Sequence, residues 1–128
     1  MIVLDASLLI AHLDAGDANH EEAEELLAGT GSARLGASTI TLAEILVAPA
    51  RQGKLEPAWA AVKKLGVEEI PVMADSAPRL AELRAKTGLK MPDCCVLEAA
   101  GQNNATVATF DKSLANAAKG IGLTRSTG

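Results

Sequence analysis

Ile2-Val3-Leu4-Asp5-Ala6-Ser7-Leu8-Leu9-Ile10 is an apolar run interrupted only by Asp5 and Ser7. Ile2, Val3 and Leu4 show no polar alternation, which marks a short strand buried on both faces in the middle of a parallel sheet. Helical spacing follows, with Ser7 as the expected N-cap and Leu8, Leu9 and His12 beyond it. Asp5 therefore falls at the carboxyl end of a central strand, the edge where open α/β sheets bind ligands. A turn or helix-cap role also accounts for one aspartate in that place. Its meaning depends on whether other acids share such apolar surroundings.

Working outward, a polar helix is expected from Asn19 to Ala28 and a short strand from Arg34 to Ser38. Ser38 or Thr39 then caps a helix running to about Ala50. Between Ile40 and Ala48 that helix is apolar all round except for Thr41 and Glu44, the pattern of a buried helix. An unpaired carboxylate there is costly, so Glu44 should have a partner such as a cation, a salt bridge to Lys or Arg or a helix end dipping into water being the plain structural alternatives. Leu55 to Leu65 reads as another helix with Leu55, Trp59 and Val62 on one face, and Glu68 to Met73 contains a strand. A helix from Asp75 or Ser76 to about Lys86 is closed by Gly88. Met91-Pro92-Asp93 opens the next, with Pro92 at its first position and Asp93 in its first turn. Thr106 to Phe110 reads as a strand that places Thr109 and Asp111 on one side. A short helix from Ser113 to Ala118 and a final strand from Gly122 to Arg125 complete the chain.

The 128 residues form one domain, and 48% hydrophobic with 22% charged residues is a globular balance. No apolar run approaches the roughly 20 residues of a membrane span. No Lys or Arg precedes the first apolar run, so a secretory leader is not expected and the reading is cytoplasmic. Adjacent Cys94 and Cys95 would point about 100° apart on a helix, a poor geometry for a mutual disulfide. A net charge of −4 argues against general affinity for nucleic acid. Arg84, Lys86 and Lys90 before Asp93, with Lys112 and Lys119 after Asp111, nevertheless suit a basic rim around an acidic pocket, a solvated helix face being the plain alternative for each.

Strands alternating with helices give an α/β class with a mostly parallel sheet. Asp5, Glu44, Asp93 and Asp111 can converge on one sheet edge, where unpaired carboxylates about 4 Å apart repel by roughly 4 kcal/mol at an effective dielectric of 20. A divalent cation removes the conflict. Oxygen ligands without a His or Cys cage suit Mg²⁺ or Mn²⁺ and point to phosphodiester chemistry.

Val3-Leu-Asp-Ala-Ser7, Thr41-Leu-Ala-Glu44, Asp93 opening its helix and Thr109-Phe-Asp111 together resemble the PIN domain, and at this length the VapC-type toxin ribonucleases. The resemblance covers nearly the whole chain. It implies a three-layer sandwich with a central, mostly parallel sheet of four to five strands over residues 1–128. It implies an endoribonuclease in which Asp5, Glu44, Asp93 and Asp111 hold Mg²⁺ or Mn²⁺ to activate a water, with Ser7 and Thr109 as supporting hydroxyls. RNA contacts then fall to Arg84, Lys86, Lys90 and Lys112. It further implies a homodimer and a small antitoxin whose C-terminal segment occupies the acidic groove, on a platform formed from about Thr39 to Leu65. Cys94-Cys95 departs from the small or aliphatic residues usual there. A dehalogenase-type phosphatase needs a second Asp where this chain has Ser7, and a receiver domain needs adjacent acids where Asp5 stands alone. A catalytically silent PIN-like module that binds RNA or protein is the remaining alternative.

Overall fold

The computed structural model describes residues 1–122. The strand expected from Gly122 to Arg125 falls, beyond Gly122 itself, outside the described residues. Four parallel strands, β1 (Ile2–Leu4), β2 (Leu35–Ser38), β3 (Val67–Ile70) and β4 (Thr106–Ala108), form one sheet in the order β3-β2-β1-β4. The helices are α1 (Ala6–Leu13), α2 (His20–Ala28), α3 (Thr39–Arg51), α4 (Leu55–Leu65), α5 (Ser76–Thr87), α6 (Met91–Gln102) and α7 (Lys112–Gly120).

The central place of β1 follows from its unbroken apolar sequence. Ile2 and Leu4 enter a core with Leu8 and Leu9 of α1, Leu42 and Ile45 of α3 and Val62 of α4. Val3 enters a second core with Val96 and Leu97 of α6 and Leu114 of α7. The sheet thus separates two apolar layers, giving the expected three-layer sandwich. Gly36 of β2 lets Ile70 pack close to the strand: a Cβ there would lie 2.7 Å from Ile70 Cδ1, and the tip of that side chain would have to move. Both cysteines are buried and free.

Several local expectations are corrected. The cap of α1 is Asp5 rather than Ser7, and Pro92 takes the second rather than the first position of α6, after Lys90 as cap. The last strand stops at Ala108, because the Thr109 hydroxyl accepts the Asp111 amide at 2.9 Å and bends the chain. The helix α3 is buried only through Thr41, Leu42 and Ile45; Ile40 and Val47 are 37% and 45% exposed. Its apolar face therefore turns partly to solvent, and Glu44 on it is exposed.

Candidate active site

Register brings the first part of the site together. Leu4 pairs with Ala108, so the next residues, Asp5 and Thr109, emerge side by side at the carboxyl edge of the sheet. Asp5 is 3% exposed, and its carboxylate accepts hydrogen bonds from the Ser7 hydroxyl at 2.7 Å, the Leu8 amide at 3.1 Å and the Thr109 hydroxyl. Each hydroxyl also accepts a backbone amide, Ser7 from Phe110 at 3.2 Å and Thr109 from Asp111 at 2.9 Å. Their own protons are therefore committed to Asp5. Three donors against about four lone-pair sites leave Asp5 one acceptor site.

Burial pushes the Asp5 carboxyl above the usual range, opposed by the bonds from Thr109, Ser7 and Leu8, while the Asp111 charge adds to the rise. Thr109→Val keeps the shape but deprives Asp5 of a donor and Asp111 of an acceptor. Urea unfolding is expected to show a loss of about 1–3 kcal/mol, most of it restored by Thr109→Ser.

Asp93 reaches the same place from the first turn of α6. Its carboxyl is half-buried and has no hydrogen-bond partner among the described residues. Desolvation pushes it above the usual range first, and the charges of Asp111, Asp5 and Glu44 push it further, with Lys90 opposing. Asp5, Glu44 and Asp111 thus all act on Asp93, and Asp111 acts on Asp5 as well. Glu44 does so from the exposed face of α3 and needs no buried counterion, contrary to the sequence expectation. Asp111 is exposed and caps α7 through Oδ1, which accepts the Leu114 amide at 3.0 Å.

Among the described residues, no three His, Cys, Asp or Glu side chains form a ready-made metal cage. The donors suit an ion that takes one or two carboxylates and keeps several waters, the habit of Mg²⁺. Softer metals are poorly served, since His12 is engaged with Glu24, His20 with the Ala11 carbonyl at 2.7 Å, and burial keeps both thiols protonated.

The four predicted cations divide. Lys90 lies close enough to favour ionised Asp93, and Lys112 is exposed at the start of α7 directly after Asp111. Lys86 is exposed on α5. Arg84 instead donates to the Leu89 carbonyl at 2.6 Å, inside the α5–α6 turn. A groove of about 560 Å³ lies between α1, α3 and α4, lined by Ile10, Leu13, Glu44, Ile45, Pro49 and Ala58 among others; a platform from about Thr39 to Leu65 was expected, and the part played by α1 was not. The signal was Ile10, which continues the first apolar run yet is 43% exposed.

The family profile described as PIN domain matches residues 2–120. The chain belongs to the PIN-domain family. Among solved structures, this PIN domain is similar to a toxin-antitoxin complex from Klebsiella pneumoniae, at 23% identity and a TM-score of 0.79, covering 100% of this chain and 98% of that one. It is also similar to VapC20 of Mycobacterium tuberculosis, titled a sarcin-ricin loop cleaving toxin, at 21% identity and a TM-score of 0.78, covering 97% of each chain. VapBC2 from Rickettsia felis, bound to a DNA fragment from its promoter, follows at 21% identity and a TM-score of 0.69, covering 98% and 97%. These likenesses establish the shared PIN fold. No curated protein matches the chain.

Proposed function

We propose that this PIN domain is a divalent-metal-dependent endoribonuclease, the toxin of a toxin-antitoxin pair of the VapC type. The observation that carries the reading is that the charges of three acids from other segments, Asp5, Glu44 and Asp111, all reach Asp93 in a chain of this family. In this reading Asp5, Glu44, Asp93 and Asp111 hold Mg²⁺ or Mn²⁺, an ion that supplies Lewis-acid chemistry for phosphodiester hydrolysis when bound. Ser7 and Thr109 keep Asp5 in one orientation, so no reorganisation is needed when a charged substrate arrives. Asp93 and Glu44 present carboxylates without competing hydrogen bonds. Lys90 and Lys112 offer positive charge to the phosphate backbone at the rim.

RNA is the substrate class. Phe110 and Trp59 are the only aromatic residues, and Trp59 packs against the first core beneath Lys63, so recognition rests on backbone and shape rather than base stacking. The groove beside Glu44 suits an apolar antitoxin segment bearing a cation. A homodimer in the cytoplasm completes the proposal. Among the described residues no helix is long and apolar enough to cross a membrane.

Structured RNA incubated with the protein is expected to be cleaved with Mg²⁺ or Mn²⁺ and left intact in excess chelator. Binding without cleavage under both conditions favours the silent module. Lys90→Glu and Lys112→Glu are each expected to weaken RNA binding and to flatten its salt dependence, by about 0.7–0.9 in log–log slope for each phosphate the lysine neutralises. An unchanged slope in both variants places the rim elsewhere.

A further inference from the structure

The start of α6 is fixed in an unusual way. Its cap residue, Lys90, makes no side-chain capping bond, and Pro92 has no amide to offer. The turn before it is held instead through Leu89. The Leu89 carbonyl accepts from Arg84 Nη1 at 2.6 Å and lies 3.6 Å from Cys94 Sγ. The Leu89 amide donates to the Thr87 hydroxyl at 3.2 Å, which donates to the Leu83 carbonyl at 2.6 Å. Gly88 enters the turn at φ +70°, a conformation that favours glycine. Both polar groups of Leu89 are thus engaged, and its side chain packs on the second core.

Asp93 lies one helical turn beyond this point and has no hydrogen bond of its own to orient it. Its position is inherited from the backbone that Leu89 anchors. A charge-assisted bond from a planar guanidinium is a strong way to hold that backbone. A second latch joins the same two helices elsewhere: Arg79 Nε donates to buried Glu98 at 2.7 Å, and Gln102 donates to the same carboxylate at 3.2 Å. Docking of α5 on α6 is therefore secured without Arg84, which acts on the turn alone.

We propose that Arg84 is a positioning residue for Asp93, setting the turn that opens α6 through the Leu89 carbonyl, rather than an RNA contact. The proposal rests on the nuclease reading. Its test measures kcat and KM for RNA cleavage at saturating Mn²⁺ and, without RNA, the Mn²⁺ concentration that half-saturates the shift in melting temperature. Arg84→Ala is expected to lower kcat about 10–100-fold, the usual cost of losing a group that orients a ligand, and to raise the Mn²⁺ midpoint by a similar factor while KM stays within about twofold. Charge alone predicts no such loss, because removing a positive charge does not weaken the binding of a cation. Arg84→Lys, still a donor to Leu89, is expected to recover most of the loss. Arg79→Ala serves as the control for helix docking and is expected to lower the melting temperature while leaving kcat, measured well below it, unchanged. A raised KM with unaltered kcat and Mn²⁺ midpoint in Arg84→Ala makes Arg84 an RNA contact and overturns the proposal, as does an equal kcat loss in Arg79→Ala. A wild type that neither cleaves RNA nor responds to Mn²⁺ overturns the nuclease reading itself, whereas an active wild type matched by Arg84→Ala overturns this inference alone.

Discussion

Asp93→Ala is expected to reduce RNA cleavage by at least about 10³-fold at saturating Mg²⁺ or Mn²⁺ while leaving the fold intact. The size follows from its role: a carboxylate that holds the cation contributes several kcal/mol to the transition state, and each 1.36 kcal/mol is about tenfold in rate. The fold survives because the side chain is half-buried and donates or accepts no hydrogen bond among the described residues. Single-turnover cleavage of a structured RNA, with circular dichroism and melting as controls, checks both halves. Asp5→Ala is expected to be equally inactive but less stable, since it strands Ser7, Thr109 and the Leu8 amide without their acceptor. Undiminished cleavage by Asp93→Ala removes the proposed site.

In excess chelator the ranking of stabilities is expected to invert. Asp93→Asn removes the charge on which Asp5, Glu44 and Asp111 all act and keeps the shape. Allowing for its partial exposure, relief of about 1 kcal/mol corresponds to a melting temperature roughly 3–6 °C above wild type for a domain of this size. Metal reverses the order, because the wild type gains about 2.7 kcal/mol at one hundred times its dissociation constant and the variant has lost a ligand.

The pH dependence in chelator follows from the same group. The folded protein holds the Asp93 proton more tightly than the unfolded chain does, so the penalty of ionising it is fully present above the raised folded-state pKa. Stability is regained as pH falls from there toward the ordinary aspartate value. Asp93→Asn should lack that gain, and differential scanning calorimetry across the window reads it directly. If the variant melts lower in chelator and metal moves neither curve, the acids are structural.

Asp5 shows why charge counting does not suffice. On repulsion alone Asp5→Asn should gain stability in chelator as Asp93→Asn does. The structure reverses that expectation, because an amide NH₂ would face either a hydroxyl whose proton is already directed at it or the Leu8 amide. Asp5→Asn is therefore expected to melt below wild type.

The sequence by itself determined the class and the order of the elements, and singled out four acids as candidates for the site. Unbroken apolarity in Ile2-Val3-Leu4 can be satisfied only by burial on both faces, and strong local signals such as Gly88 after α5 or Pro92 in the first turn of α6 act within a few residues of where they are read. Only the tertiary structure decided what each acid does. Glu44 looked buried because helix periodicity cannot say how many faces are covered, and α3 has apolar residues that no other described element covers. Asp5 proved to be a cap and the acceptor of three hydrogen bonds because its donors Ser7 and Thr109 meet only through the pairing of β1 with β4, across more than one hundred residues of chain. Arg84 read as a surface cation for the same reason: a guanidinium is assigned by the carbonyl it reaches, and that carbonyl comes within reach only once the turn between α5 and α6 has formed.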